Sequence, residues 1–175
     1  VIGCHPLFGP EVPSMNGYSF VLCPARTGNG SWLAWLKTLL HKNGACLVET
    51  TPEEHDRFMS IIQGLNHFNT MIFGMVMEAL DTDIQKLKPF TTPIFEEKIR
   101  IIKEVFSHNA RMYSEILTRN PYLPAILDQY EQTVREIKHL IEIRDAYTLQ
   151  KKLQNAGDRY PEMVKQNPGC TSVKE

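Results

Sequence analysis

The sequence has 175 residues, 42% of them hydrophobic and 22% charged, a composition that is typical of a globular protein and argues against disorder or a fibrous repeat. Its 19 basic and 20 acidic residues give a formal net charge of -1, so we expect neither nucleic acid nor a membrane as a partner. No apolar run approaches the roughly 18 residues of a membrane span, and no signal sequence is evident, so the expected location is the cytoplasm. The four cysteines include no C-x-x-C pair, and we predict no metal site.

A short α/β segment is predicted for residues 1–50. The opening VIGC indicates the end of a buried strand, and 17–24 and 45–50 indicate two more strands. Between these, 29–43 has leucines and tryptophans at helical spacing and ends before Gly44. A strand, a helix and a strand so closely joined form a βαβ unit with parallel strands. Because two parallel strands make no stable sheet alone, this stub is predicted to be the end of a larger, Rossmann-type sheet.

From residue 51 the predicted structure is helical. Thr51 is a suitable N-cap, followed by Pro52 at the first helical position and by Glu54 three residues after the cap. The apolar face that follows continues to about residue 79, through Phe58, Ile61, Ile62, Leu65, Phe68, Ile72, Met75 and Met77. Further helices are predicted to begin at Thr92-Pro93, Asn120-Pro121 and Asp145, with helix ends near Lys88-Pro89, Ser107-His108-Asn109 and Arg119-Asn120.

Three parts of unequal size follow from these patterns. A βαβ stub occupies 1–50, an all-helical dimerisation domain occupies 51–165, and a flexible polar tail occupies 166–175. The predicted fold class is therefore mainly α. Long helices with broad apolar faces favour a homodimer, because an uncovered amphipathic face needs a partner.

His5 follows directly on the apolar VIGC stretch. Ligands bind at the carboxyl ends of the strands in open α/β sheets, and we expect His5 to lie at the end of such a parallel strand. Pro6 and the Gly9-Pro10 pair favour an extended and then turning loop that would hold the imidazole in place. His5 is thus a candidate catalytic residue. A surface histidine without a role is the alternative, and position alone does not choose between them.

A second group of candidates lies on the helix that begins at Pro52. Gln63 and His67 are four residues apart and are expected to project from one helix face, and His55 precedes His67 by twelve residues. Polar side chains on an apolar helix must find partners or face a cavity. Zinc is not favoured, because H-x-x-x-H spacing is absent. Histidines held by hydrogen bonds within the core are the alternative to a ligand site.

Arg100 and Glu104, four residues apart on the helix after Pro93, are a third candidate group. Most such pairs are solvated ion pairs of small energetic weight. An arginine that faces a pocket could instead bind a carboxylate through two hydrogen bonds. The sequence alone does not choose between these readings.

The chain shows no dinucleotide-binding fingerprint. A nicotinamide or flavin protein would be expected to carry G-x-G-x-x-G between its first strand and helix. The nearest match, Gly28-Asn29-Gly30, lacks the third glycine, and we interpret it as a loop and helix cap. Cofactor-binding residues are therefore not assigned.

Three strings carry a resemblance to a known family: HPLFGPEV at 5–12, TPEEHDRFMSIIQGLNHF at 51–68 and TTPIFEEKIRIIKEVFSHNARMYSEIL at 91–117. Through to about Tyr160, the chain resembles the carboxyl-terminal part of prephenate dehydrogenase, especially of the proteobacterial type. The resemblance implies an amino-terminal Rossmann half that holds NAD and lies outside this chain, and a helical domain that supplies dimer contacts and closes the prephenate site. Members of the family oxidise prephenate by hydride transfer with loss of carbon dioxide, giving 4-hydroxyphenylpyruvate.

The resemblance also implies a role for each candidate residue. His5 would accept the hydrogen bond and the proton of the ring hydroxyl. His67 matches the helix histidine that the family links to ligand and tyrosine sensitivity. The family arginine that binds the ring carboxylate is expected after TTPIF, and Glu104 occupies its position. The residues expected to bind or support the substrate are therefore His55, Gln63, His67 and, one turn before Glu104, Arg100.

We accordingly expect the carboxyl-terminal region of a prephenate dehydrogenase, as a truncated form or a fragment, which dimerises and does not turn over prephenate with NAD on its own. Two alternatives stay open. One is a stand-alone, non-redox module for dimerisation or ligand binding. The other is a related enzyme for an amino analogue of prephenate or for another cyclohexadienyl acid, for which Glu104 would be the clue. The choices between prephenate and arogenate and between NAD and NADP are not fixed by these patterns.

Overall fold

The structure is a computed structural model, and it describes residues 1–28, 30–81, 83–107, 110–158 and 160. A mainly α fold with a small sheet near the amino terminus is confirmed. The described chain forms two compact units: one contains Val1–His55 and the described residues from Ile137 onward, and the other contains Asp56–Glu136. The domain boundaries proposed after residues 50 and 165 stay a prediction, and the proposed tail lies outside the described residues.

Three strands form the sheet of the first unit, in the order β1 (Ile2–Pro6), β2 (Ser19–Pro24) and β3 (Cys46–Glu49). Helix α1 (Ser31–Lys42) connects β2 to β3. The two strands that it joins run parallel, so the predicted βαβ unit is confirmed. Gly44 follows α1 with a φ of 80°, a left-handed conformation that ends the helix as its position predicts.

Strand β1 runs antiparallel to β2, so the expectation of a parallel first strand is wrong. Parallel strands need a long crossover, usually a helix. The connection over residues 7–18 contains no helix and turns through prolines and Gly17, whose φ is 79°, so it reverses the chain instead. His5 consequently lies within an antiparallel strand, opposite Val21, and not at the carboxyl end of a parallel one.

Helix α1 covers one face of this sheet. The buried cluster of Leu22, Leu40 and Ala45 lies between them, with partly buried Ile2, Met15, Phe20, Leu33, Leu36 and Leu47 around it. Cys4 is the partner of Leu22 in the sheet, so the two side chains share the α1 face. Because successive side chains alternate along a strand, His5 projects from the opposite face.

Helices form the second unit and the rest of the described chain. They are α2 (Pro52–Met59), a π-helix (Ser60–Leu65), α3 (Asn66–Ala79), α4 (Ile84–Leu87), a 3-10 helix (Lys88–Phe90), α5 (Pro93–Ser107), α6 (Ala110–Arg119), α7 (Leu123–Glu142) and α8 (Ala146–Gly157). None of the helices in the described part of the chain combines the length and the apolar character needed to cross a membrane.

The predicted caps are present at the helix starts. Thr51 Oγ1 accepts the Glu54 N–H at 3.1 Å, and Thr92 Oγ1 accepts the Phe95 N–H at 3.3 Å. The Asp145 carboxylate accepts the Thr148 N–H at 2.9 Å. Asn120 accepts the Tyr122 N–H at 2.9 Å, and α7 begins after this turn rather than at the predicted proline. The predicted helix end at His108 and Asn109 lies outside the described residues.

The segment between α2 and α3 is a π-helix, where an uninterrupted α-helix to about residue 79 is predicted. Its first residue, Ser60, is fully buried and donates its hydroxyl to the Arg57 carbonyl at 2.6 Å, a local bond that competes with the α-helical ladder. Gly64 lies so close to α7 that a Cβ atom there would be 2.7 Å from Leu123 Cδ1. Apolar periodicity has no signal for the wider turn of a π-helix or for this contact between residues far apart in the chain.

Replacing Gly64 by alanine is expected to destabilise the second unit. Alanine favours helices over glycine by about 1 kcal/mol. The added methyl group, however, would lie 2.7 Å from the side chain of Leu123, which is only 2% exposed and has little room to move. Overpacking of this kind costs about 1–3 kcal/mol, so we expect urea denaturation to show a net loss of about 1 kcal/mol in the free energy of unfolding.

Gly157→Ala is the matched control, because nothing lies within 4 Å of a Cβ added at this end of α8. It should leave the stability unchanged or raise it by up to about 1 kcal/mol. A Gly64→Ala protein as stable as the control would contradict the close packing of the π-helix against α7.

Candidate active site

The imidazole rings of His5 and His55 lie within hydrogen-bonding distance of each other. Nδ1 of His5 is 2.8 Å from Nε2 of His55. The ring centroids are 5.1 Å apart and the planes meet at 71°, so the rings contact edge-on and are not stacked. Both residues belong to the first unit, and the structure thus brings together two of the five sequence-predicted site residues.

Strand β1 and the first turn of α2 position the pair. His5 is opposite Val21, and Val21 is in turn opposite Val48, so these three side chains form one row on the sheet face that α1 leaves uncovered. The chain then leaves β3 and starts α2 within a few residues. The His55 N–H bonds to the Thr51 carbonyl at 2.9 Å, which places the ring on the first helical turn, against this row.

Side-chain hydrogen bonds fix that first turn. Thr51 Oγ1 accepts the Glu54 N–H, and the Thr50 hydroxyl donates to the Glu54 carboxylate. The cap predicted at Thr51 is therefore present together with a second contact, from Thr50 to Glu54, which the sequence pattern does not specify. Glu54 directly precedes His55. Both contacts limit the movement of the helix start that carries the His55 ring.

The surroundings of His5 favour its neutral form. Partial burial lowers the pKa of His5 below its ordinary value of 6.5, and electrostatic repulsion from the His55 ring lowers it further. At neutral pH one nitrogen of the His5 ring therefore carries a proton and the other carries a lone pair. A neutral imidazole of this kind can act as a general base.

His67 lies on α3 in the second unit, half-buried, with its ring edge-on to that of Tyr113. The ring centroids are 5.0 Å apart and the planes meet at 75°. Burial lowers the pKa of His67, so this ring too is neutral at neutral pH. Tyr113 was not a sequence candidate, because its place on α6 beside the π-helix is set by helix packing that no local motif encodes.

Gln63 lies in the π-helix and is half-buried. The expectation that Gln63 and His67 share a face assumed a continuous α-helix. A π-helix closes its hydrogen bonds from i to i+5, so a spacing of four residues no longer guarantees a common face. That these two residues face one cleft with His5 stays a prediction.

Arg100, on α5, is 62% exposed and is engaged with two carboxylates. Its Nε and Nη2 donate to Glu97 at 2.8 and 2.6 Å, and Nη1 donates to Glu104 at 3.3 Å. The hydrogen bonds and charge of Arg100 lower the pKa of the Glu97 carboxyl. Exposed pairs of this kind contribute little to stability. Substrate binding by Arg100 would require the guanidinium to exchange these carboxylates for another, and it stays a prediction.

The loop that joins β2 to α1 does not fit a dinucleotide. Gly28 and Gly30 adopt left-handed conformations, with φ of 59° and 78°. The third position of the fingerprint, however, is Leu33, whose side chain packs against the core beneath the sheet. Glycine is needed there to let helix and strand approach closely. Separately, no three histidine, cysteine or acidic side chains of the described residues are grouped as metal ligands.

The fold of this chain is that of solved dehydrogenases. The arogenate dehydrogenase of Synechocystis matches 90% of this chain and 60% of its own, with a TM-score of 0.65 and 21% identity. The prephenate dehydrogenase of A. aeolicus, solved in complex with hydroxyphenyl propionate and NAD+, matches 89% of this chain and 56% of its own, with a TM-score of 0.64 and 19% identity. At these identities the likeness establishes a shared fold.

The sequence identifies the family. Residues 51–155 match the family described as prephenate dehydrogenase, dimerization domain. A curated relative from Methanocaldococcus jannaschii, named probable arogenate/prephenate dehydrogenase, is 32% identical over 161 residues, which is 91% of this chain but 36% of the relative. The chain belongs to the prephenate dehydrogenase family and carries its dimerization domain, as the resemblance predicts. It spans about a third of the length of that relative.

Titration of the histidine rings tests the electrostatics of the pair. We expect the NMR signals of His5 and His67 to report pKa values below the ordinary 6.5, because burial disfavours the imidazolium form. In His55→Gln, which removes the repelling imidazole but keeps a polar side chain, the pKa of His5 should rise while that of His67 stays unchanged.

The sign of the stability effect follows from the same shifts. The rings of the unfolded chain protonate at the ordinary pKa of 6.5, before those of the folded chain, so these two groups lower the free energy of unfolding as the pH falls through that value. A His5 ring that titrates at 6.5 or above in the folded chain would contradict its description as a neutral, partly desolvated group.

Proposed function

We propose that this chain is the carboxyl-terminal part of a prephenate dehydrogenase, whose complete polypeptide oxidises prephenate with NAD in the cytoplasm and forms 4-hydroxyphenylpyruvate and carbon dioxide. Family membership supports the proposal, as does the neighbour solved with NAD+ and hydroxyphenyl propionate. The observation that carries it within this chain is the half-buried His5 ring, held 2.8 Å from His55.

His5 has the chemistry that the reaction needs from the protein. When hydride leaves the ring carbon that bears the hydroxyl, the hydroxyl proton must also leave, and the neutral imidazole of His5 accepts it. The dienone then loses carbon dioxide, and the electron pair of the broken C–C bond makes the ring aromatic. The phenolate oxygen takes the proton back from His5, which returns to its neutral form. The nicotinamide supplies only the acceptor for the hydride.

The acceptor is assigned to a part of the enzyme outside this chain. The β2–α1 loop does not fit a dinucleotide, because Leu33 packs where a glycine is required. The described sheet has β1 and β3 at its two edges, and open edges are usually covered or paired. We propose that a Rossmann half pairs with or covers these edge strands. This chain alone is therefore expected not to turn over prephenate with NAD.

The proposal includes a homodimer. The second unit leaves several large apolar side chains exposed, among them Phe58 (47%), Ile61 (54%), Ile62 (57%), Met75 (48%) and Val76 (50%). Exposed apolar surface on this scale is typical of an interaction site. The family that the chain matches is described by its dimerization domain, which supports a second copy as the partner.

Arogenate, the amino analogue of prephenate, is a second candidate substrate. Glu104 is the observation that favours it. Both substrates carry two carboxylates, but only arogenate also carries an ammonium group, and a carboxylate where the family has an arginine could pair with that group. In the structure Glu104 accepts a hydrogen bond from Arg100 at 3.3 Å, so a cation already lies beside it. Comparing kcat/KM for the two substrates decides between them.

Exchanging His5→Asn in the complete polypeptide tests the proposed function. Asparagine cannot take up the hydroxyl proton, so kcat for prephenate or arogenate should fall by about 10²–10⁴-fold, with KM little changed. His41→Asn is the matched control, since His41 lies at the end of α1, which packs on the other face of the sheet. Unchanged turnover in His5→Asn would remove His5 from the mechanism, whereas wild-type protein that oxidises neither substrate would refute the function itself.

Sedimentation equilibrium on this chain tests the dimer. We expect a particle of twice the 20.1 kDa chain mass, because the exposed apolar side chains of the second unit need cover. A monomer at concentrations well above those of an enzyme assay would contradict the proposed homodimer.

A further inference from the structure

The contact between the two histidine rings allows two arrangements of protons. At 2.8 Å a proton must lie between Nδ1 of His5 and Nε2 of His55, because two nitrogen lone pairs would repel each other at this distance. In the first arrangement His5 donates from Nδ1 and carries its lone pair on Nε2. In the second, His55 donates and His5 carries its own proton on Nε2. The Nε2 atom of His5 is thus an acceptor in one arrangement and a donor in the other.

The contact is built into regular structure on both sides. His5 is the fourth of the five residues of β1 that pair with β2, and His55 lies on a helical turn held by Thr51 and by the Thr50 to Glu54 bond. The angle of 71° between the ring planes excludes stacking of the two rings. Because the two rings share one proton, His5 keeps a single tautomer only if His55 keeps a single tautomer as well.

We propose that His55 is a positioning residue, which accepts a hydrogen bond from Nδ1–H of His5 and thereby holds the lone pair of His5 on Nε2. The choice between the two arrangements rests on the proposed function, because a residue that takes up the hydroxyl proton needs an unprotonated nitrogen for it. The contact itself does not depend on that function. His55 acts only through His5.

This arrangement also serves the protonated state. Once His5 has taken the proton on Nε2, both of its nitrogens carry protons, and the bond from Nδ1 to His55 becomes charge-assisted. His55 is itself an imidazole, so it orients the ring without the strong attraction that a carboxylate partner would exert on the imidazolium. The proton can then return readily to the product oxygen. Partial burial, which lowers the pKa of His5, acts in the same direction.

Nitrogen NMR of this chain tests the proposal without any substrate. Long-range correlations in a ¹⁵N-histidine sample, recorded where the rings are neutral, distinguish protonated from unprotonated ring nitrogens. We expect a protonated Nδ1 and an unprotonated Nε2 for His5, the reverse of the tautomer that an isolated histidine ring prefers. Unprotonated Nδ1 on His5 would overturn the proposal.

Two substitutions of His55 distinguish a residue that orients the His5 ring from one that only contributes to the stability of the fold. In His55→Gln the amide oxygen can still accept from Nδ1–H, so the His5 tautomer should be retained. In His55→Leu no acceptor remains on this side chain, so the His5 proton should move towards Nε2. The ring signals of His67, in the second unit, should be unchanged in both variants and show that the chain is folded.

In the complete polypeptide the same two variants should differ in kcat. His55→Gln should keep most of kcat, while His55→Leu should lose up to about 10⁴-fold, the loss known for a base held in the wrong tautomer, with KM little changed. Equal kcat for wild type and His55→Leu would overturn the positioning role. Activity with an unprotonated Nδ1 would leave the proposed function standing and reject this inference. If His5 shows the expected tautomer but the complete polypeptide oxidises neither substrate, the hydrogen bond from His5 to His55 stands and the proposed function is rejected.

Discussion

One hydrogen bond, between the rings of His5 and His55, joins the sheet and the helical turn that carry the candidate site. It forms because β1 reverses against β2 and places His5 on the sheet face away from α1, and because α2 starts close behind β3 on that same face. Each ring restricts the proton position on the other. The chemistry assigned to His5 therefore depends on local geometry in one compact unit.

The two units contribute different physical properties. The first depends on a core shared by the sheet and α1, with β1 and β3 as the edge strands of the described sheet. The second places apolar side chains on its surface and packs its helices closely where glycine permits, as at Gly64 against Leu123 and at Gly74, where a Cβ atom would be 2.9 Å from the Phe106 ring. We propose partners for both units of this prephenate dehydrogenase family member: a nucleotide-binding half for the first and a second copy for the other.

The sequence predicted those features that local chemistry decides. Thr51, Thr92 and Asp145 cap helices because their side chains can reach the free N–H groups of the next turn, and Gly44 stops α1 because it tolerates a positive φ. It did not predict the direction of β1, since apolar content says nothing about which neighbour a strand meets. It missed the π-helix, for which apolar periodicity has no signal, and it missed Tyr113, whose ring contacts His67 from a helix far along the chain. His5 and His55 were each recognised, but their contact over fifty residues follows only from the register of the sheet.

The scalar coupling between Nδ1 of His5 and Nε2 of His55, transmitted through the hydrogen bond in a ¹⁵N-labelled sample, tests this picture most directly. A nitrogen-to-nitrogen coupling appears only when a proton bridges the two atoms at hydrogen-bonding distance. We predict a resolved coupling between these two nitrogens, which is lost in His55→Leu. Sharp signals from both rings without any coupling would show that the rings do not meet, and the assignment of a shared proton to this site would be wrong.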